Sequence, residues 1–272
     1  MKKQNAWIFL CISIALSGVA YSQGFYFKAG GSYNLGLPST IIANNYTDIV
    51  TSSSNTQQYE EIYGTHGKGV GLEGAIGYKG ENLGIEVGIS YLLKSSVGTT
   101  SRYVDTIYVD NFDNTYESSM LSLSPCFVFI TNVGFYGRAG AILGFPKYTY
   151  KRHGTYSSST TTTVDLTGEY SGDMALGFTG AVGFAFGSGG IKLYIEADVV
   201  SLTWAPTSFE YTEYKVNGQD QLSTLTASQK KANYEETFTI ATPSNPNVAS
   251  VSGKNYLLYS SVGLKAGIML GF

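Results

Sequence analysis

The side chains with the widest chemical repertoire are few in this chain of 272 residues: two histidines, His66 and His153, and two cysteines, Cys11 and Cys126. His153 is followed by Ser157 to Ser159 and then by Asp165, and His66 is preceded by Glu60 and Glu61. A hydrolase could use such groups if folding joined a serine nucleophile, an imidazole base and a carboxylate. Ser and Thr are so frequent around both histidines that these neighbours carry little information, and neither a GxSxG elbow nor an HExxH pair accompanies them. Both histidines therefore read as solvated loop residues, and no enzymatic activity is expected. The run Asp110-Asn111-Phe112-Asp113-Asn114 spaces oxygen ligands but lacks the glycine and closing glutamate of a calcium loop, so no metal or other cofactor is expected. Cys126, with no partner in a CxxC pair, reads as a small packed residue.

A second set of polar residues is more regular. Lys28, Glu73, Glu86, Arg138, Glu196, Asp198 and Lys265 each lie within a segment that alternates with period two. Each shares its phase with Gly, Ala and Ser, while the opposite phase carries Leu, Ile, Val and Phe. In the clearest case Leu83, Ile85, Val87, Ile89, Tyr91 and Leu93 occupy one phase, against Gly84, Glu86, Gly88, Ser90 and Lys94. Successive side chains of a strand point to opposite faces, so each segment reads as a strand with one bulky uncharged face. A soluble barrel puts its apolar groups inside, and a membrane barrel inverts this. A narrow interior of eight strands suits small residues beside long charged ones, so the charges point inward. The seven charged residues then form one mixed layer in the lumen, which must pair because isolated buried charges are prohibitively costly. That layer plugs the interior, or alternatively gates a narrow pore.

The elements that must carry these residues number eight: 24–36, 68–79, 83–96, 116–130, 134–147, 170–186, 191–204 and 255–272. Short turns at 80–82, 131–133 and 187–190 alternate with long connections at 37–67, 97–115, 148–169 and 205–254. The long connections are rich in Ser, Thr, Asn and Tyr and read as exposed loops, although Tyr103 to Val109 has the character of a hairpin continuing beyond the barrel. Pro125 removes a ladder hydrogen bond from the fourth strand. The expected fold is all-β: a single eight-stranded antiparallel up-and-down transmembrane β-barrel.

Residues 1–22 have the basic start, apolar run and small residues of a signal peptide, which leaves 23–272 as one barrel domain. Without Lys2 and Lys3 the mature chain is mildly acidic, and no nucleic-acid partner is expected. The last stretch, NYLLYSSVGLKAGIMLGF, has a purely apolar phase ending in an aromatic carboxyl-terminal residue. It resembles the closing strand of bacterial outer-membrane barrels, and the whole mature chain resembles the OmpA/OmpX-type small outer-membrane β-barrel family, with no peptidoglycan-binding domain expected. The resemblance implies an outer-membrane location, periplasmic termini and extracellular loops. It also implies that Phe272 is the signal read by the barrel-assembly machinery. The expected partners are outer-membrane lipid, that machinery, and an extracellular protein or glycan meeting the loops. The expected role is structural or surface interaction; the alternatives are a narrow porin-like channel and, more remotely, an outer-membrane hydrolase.

Overall fold

The computed structural model describes residues 24–37, 41–51, 54–131, 133–187, 190–237 and 247–271. The expected signal peptide at 1–22 and Phe272 lie outside these residues. Eight antiparallel strands close a ring, numbered here in chain order: β1 (Gly24–Gly36), β2 (Gly69–Lys79), β3 (Leu83–Val104), β4 (Val109–Ile130), β5 (Phe135–Ser157), β6 (Ala175–Phe186), β7 (Ile191–Trp204) and β8 (Ser261–Leu270). Each strand pairs with its neighbours in sequence, and β8 returns to β1, with Phe27 opposite Leu270 and Gly36 opposite Ser261. Closure leaves no exposed edge within the ring.

The period-two pattern determines which way every strand faces. Outward positions include Phe27, Leu72, Ile76, Ile85, Val87, Ile89, Phe127, Phe178, Leu193, Ile195 and Leu264, all exposed. From Phe25 and Leu270 at the turn end to Tyr33, Leu93, Leu121 and Phe145 at the loop end, no outward ring position bears a charge. The interior packs in three layers. Tyr26, Val128, Ile130, Tyr136, Ala185, Tyr194 and Met269 fill the turn end. Leu92, Met120, Ile142, Tyr148, Leu202, Trp204, Leu257 and Tyr259 fill the loop end. The charged residues lie between.

The long connections depart from the expectation of loops. β3, β4 and β5 run for 22, 22 and 23 residues, about twice the 9–11 that cross a bilayer. Residues 97–115 are thus mostly a continuation of the β3–β4 hairpin, paired as far as Val104 with Val109. Residues 148–169 hold the end of β5 and a strand Thr161–Ser171 that pairs with it, so Tyr170 belongs to this strand and not to β6. Residues 37–67 contain a hairpin of Ile41–Val50 and Asn55–Tyr63, which joins β3 in parallel through Tyr46–Ile49 and Ser101–Val104. Residues 205–254 supply strands Ser208–Val216, Lys231–Glu235 and Ser250–Gly253, and a four-residue helix Ala227–Lys230 with a capping box at Thr226. These strands extend the ring's own sheet beyond the loop-side rim. They lack a clean apolar phase because neither face packs on a uniform core, as in the polar run NTQQYEEIY of Asn55–Tyr63, which is almost wholly exposed.

Lys94 is also placed differently. Leu92 is opposite Met120 but Ser95 is opposite Ser118, so Leu93 and Lys94 together face one residue in a β-bulge. The extra residue reverses the phase of β3 beyond it. Leu92 is buried inward, and Lys94 points outward with its side chain 59% exposed.

Candidate functional site

All seven charged residues singled out from the sequence meet at one level of the ring. Glu196 on β7 is the hub: Arg138 on β5 reaches Glu196 Oε1 through Nη2 at 2.6 Å and Nε at 3.1 Å, and Lys28 on β1 donates to Glu196 Oε2 at 2.9 Å. Glu86 on β3 lies 3.7 Å from Lys28 and 3.6 Å from Arg138. Lys265 on β8 lies 2.8 Å from Glu73 on β2, 3.3 Å from Asp198 on β7 and 4.0 Å from Glu196. Every strand but β4 and β6 contributes a charge. β4 supplies Cys126, whose buried Sγ takes a long 3.8 Å contact from Arg138 Nη1.

Lys28 is held mainly by Glu196 and Lys265 mainly by Glu73 and Asp198, while Arg138 spans Glu196 and Glu86. The guanidinium is long and planar enough to serve two carboxylates at once. Four acids meet three bases, and one carboxylate oxygen, Asp198 Oδ1, has no hydrogen-bond partner among the described residues.

Three tyrosines complete the layer. Tyr26, Tyr136 and Tyr194 donate their hydroxyls to Glu86, Glu196 and Glu73 at 2.8, 3.0 and 2.7 Å. Lys28 also lies 5.0 Å from the Tyr136 ring centre and 4.7 Å from that of Tyr194, within cation–π range. By phase these tyrosines fall on the inward side of their strands, but nothing in the local sequence marks them as donors. The signal was their shared phase with Lys28, Arg138 and Glu196. Their rings have room because Gly77 faces Tyr26 and Gly183 faces Tyr136; a Cβ at either glycine would overlap the ring.

Two small polar cavities flank the layer. One of roughly 20 Å³ is lined by Lys28, Glu73, Glu86, Arg138 and Lys265, and one of roughly 30 Å³ by Asp198, Ser122, Asn34 and Lys265. Each has space for about one or two waters.

The histidines fare differently from their reading as solvated loop residues. His66 is buried, with its ring 4.8 Å from that of Tyr148 and 5.8 Å from that of Tyr259. Its segment is pinned over the ring's rim: His66 N donates to the Leu258 carbonyl at 2.8 Å, and Ser118 Oγ donates to the His66 carbonyl at 3.1 Å. Burial pushes this imidazole down to about 4. His153 does sit exposed, its Nδ1 2.6 Å from Asp165 Oδ1. Register places Asp113 beside it on β4, but among the described residues no serine hydroxyl bonds the ring.

No family model and no curated protein matches this chain. Among solved structures the chain is similar to Acinetobacter baumannii CarO2, at 15% identity over 91% of this chain and 99% of that one, with a TM-score of 0.30.

Proposed function

We propose that this protein is an integral outer-membrane β-barrel whose lumen is closed by its own side chains, and that it acts as a structural or cell-surface interaction protein. The observation that carries the reading is the inversion of polarity: a closed ring with seven charged groups turned inside, six of them buried, and an uninterrupted uncharged, largely apolar belt outside. In water such a belt is a severe liability, and in a bilayer it is the required surface. Aromatic side chains near both rims, with Phe25, Tyr78, Phe135 and Phe186 at one end and Tyr33, Tyr91 and Phe145 at the other, match the interfacial preference of amphipathic rings. The extension built from the described residues of 37–67, 97–115, 148–169 and 205–254 lies beyond the loop-side rim and is the surface offered to protein or glycan partners. In this reading it is extracellular and the termini are periplasmic.

The pore reading draws on the small cavities beside Arg138 and Lys265. Against it stand the aromatic and aliphatic layers packed above and below the charges. The deciding experiment refolds the mature chain into phosphatidylcholine vesicles and planar bilayers. Heat-modifiable, protease-protected β-structure without single-channel conductance is the expected result. Discrete conductance steps would favour the pore, and failure to insert would remove the membrane reading itself.

A further inference from the structure

Just past the loop-side end of the apolar belt, the outward face changes character in one sector only. Lys94 follows Leu93 on β3, turned out by the bulge. Glu117 lies four residues beyond Leu121 on β4, and Lys147 lies two beyond Phe145 on β5 with Lys151 above it. Lys94 and Lys151 both bridge to Glu117, at 2.6 and 3.0 Å. Lys147 is exposed and has no carboxylate partner among the described residues. Together with Tyr91 and Glu169, Lys94, Glu117, Lys147 and Lys151 line an open cavity of roughly 370 Å³. The rest of the loop-side rim presents Tyr33, Leu35, Met174, Ser201, Thr203 and Val262 outward, and the turn-side rim presents Phe25, Tyr78, Phe135, Phe186 and Ile191. Among the described residues neither has an outward lysine or arginine.

Three lysines against Glu117 and Glu169 leave the sector positive, and Glu117 holds two ammonium groups side by side. Ammonium groups gathered by a single acid are a site for a group with more acceptor oxygens and more charge than that acid can supply. A phosphate monoester has both. The position decides which phosphate. The cavity opens directly above Leu93, Leu121 and Phe145, so one molecule could lay acyl chains on the belt while its head reaches Lys94, Lys147 and Lys151. A free anion gains nothing from that continuity. We infer that this sector binds the headgroup of a phosphate-bearing lipid in the membrane leaflet nearer the loops, an inference that rests on the membrane reading above. Lys147 is the free contact, and Lys94 and Lys151 would share their charge between Glu117 and the phosphate.

The test compares the wild-type chain with Lys147→Gln, with K94Q/K147Q/K151Q and with Glu117→Gln. All are refolded into phosphatidylcholine vesicles doped with bisphosphorylated lipid A or with its dephosphorylated form. Retained lipid is measured by native mass spectrometry after gentle extraction. The wild type is expected to retain the phosphorylated form selectively, with about a fivefold loss for each lysine removed. Glu117→Gln, which frees two ammonium groups, is expected to retain more. Equal retention by wild type and Lys147→Gln, or equal retention of the two lipid forms, overturns the inference while leaving the barrel reading intact. Displacement of the lipid by inorganic phosphate also overturns it, since the site would then take a soluble anion. A wild type that enters no vesicle fails at the membrane reading, a separate and visible outcome.

Discussion

Arg138 on β5 and Glu196 on β7 meet across the intervening β6 through two hydrogen bonds to one carboxylate oxygen, while Lys28 from the opposite wall takes the other oxygen. A contact that bypasses an adjacent strand exists only because β6 contributes small inward residues here, Thr179, Ala181 and Gly183. The interior layer is therefore a cross-lumen tie, to which Lys265 adds contacts with Asp198 and Glu196 on the neighbouring strand β7. Removing Arg138 takes both guanidinium donors from Glu196 Oε1 and leaves Glu86 with only Lys28 and the Tyr26 hydroxyl. Arg138→Ala should destabilise the folded state by about 3–5 kcal/mol, less whatever lumen water recovers. Arg138→Lys should recover only part, because a single ammonium cannot span both carboxylates. Urea unfolding in vesicles measures both, and an alanine variant of unchanged stability would remove the network from the fold's energetics.

The outward face is tested separately. Ile89 and Leu193 sit mid-belt and are about half exposed, at 50% and 51%. In a bilayer that exposure is to hydrocarbon, so Ile89→Arg or Leu193→Arg should each cost about 2–4 kcal/mol. In detergent-free water the same changes should improve solubility of the unfolded chain. If both variants fold into vesicles with wild-type stability, the belt does not face lipid.

The ring and its interior were legible in the sequence because alternate residues meet two different surroundings, a charged and closely packed interior and an uncharged exterior. Lys28, Glu73, Glu86, Arg138, Glu196, Asp198 and Lys265 could be assigned one phase and one level without coordinates, and the structure brings them together. The extension beyond the rim was not legible. Strands such as Asn55–Tyr63 and Thr161–Ser171 face water or one another on both sides, so no phase of their sequence is marked as buried. Lys94 was misplaced for a different reason: the bulge after Leu92 adds one residue, and period-two counting cannot detect an insertion that reverses its own parity. His66 read as a loop residue because its burial comes from distant partners, Tyr148 and Tyr259, and not from any local pattern.

His66 also makes stability depend on pH. Its imidazole is neutral when folded, with a pKa lowered from 6.5 to about 4 by burial, and the groups around it, Tyr116, Tyr148, Tyr170 and Tyr259, are themselves neutral. A depressed histidine binds its proton more readily when unfolded. Stability is therefore full above pH 6.5, is lost as the pH falls from 6.5 towards 4, and changes no further from this group below that. The loss is about 3 kcal/mol in total. His66→Gln should flatten this part of the pH profile, measured as the unfolding midpoint between pH 7 and pH 4. An unchanged slope in the variant would assign the effect elsewhere.

The final expectation concerns passage through the ring. Three layers stand in series: Tyr26, Tyr136, Tyr194 and Ile130 at the turn end, the charged tie at the middle, and Leu202, Trp204, Leu257 and Tyr259 at the loop end. An ion crossing the lumen would have to pass two closely packed, largely apolar layers in which the tyrosine hydroxyls are the main polar groups, so the charged layer is not the only barrier. Arg138→Ala should then weaken the fold and still leave a planar bilayer silent. Opening should require loss of bulk at all three levels, as in Tyr136→Ala combined with Arg138→Ala and Trp204→Ala. Conductance from Arg138→Ala alone would make the charged layer the sole gate, and conductance from the wild type would overturn the closed interior altogether.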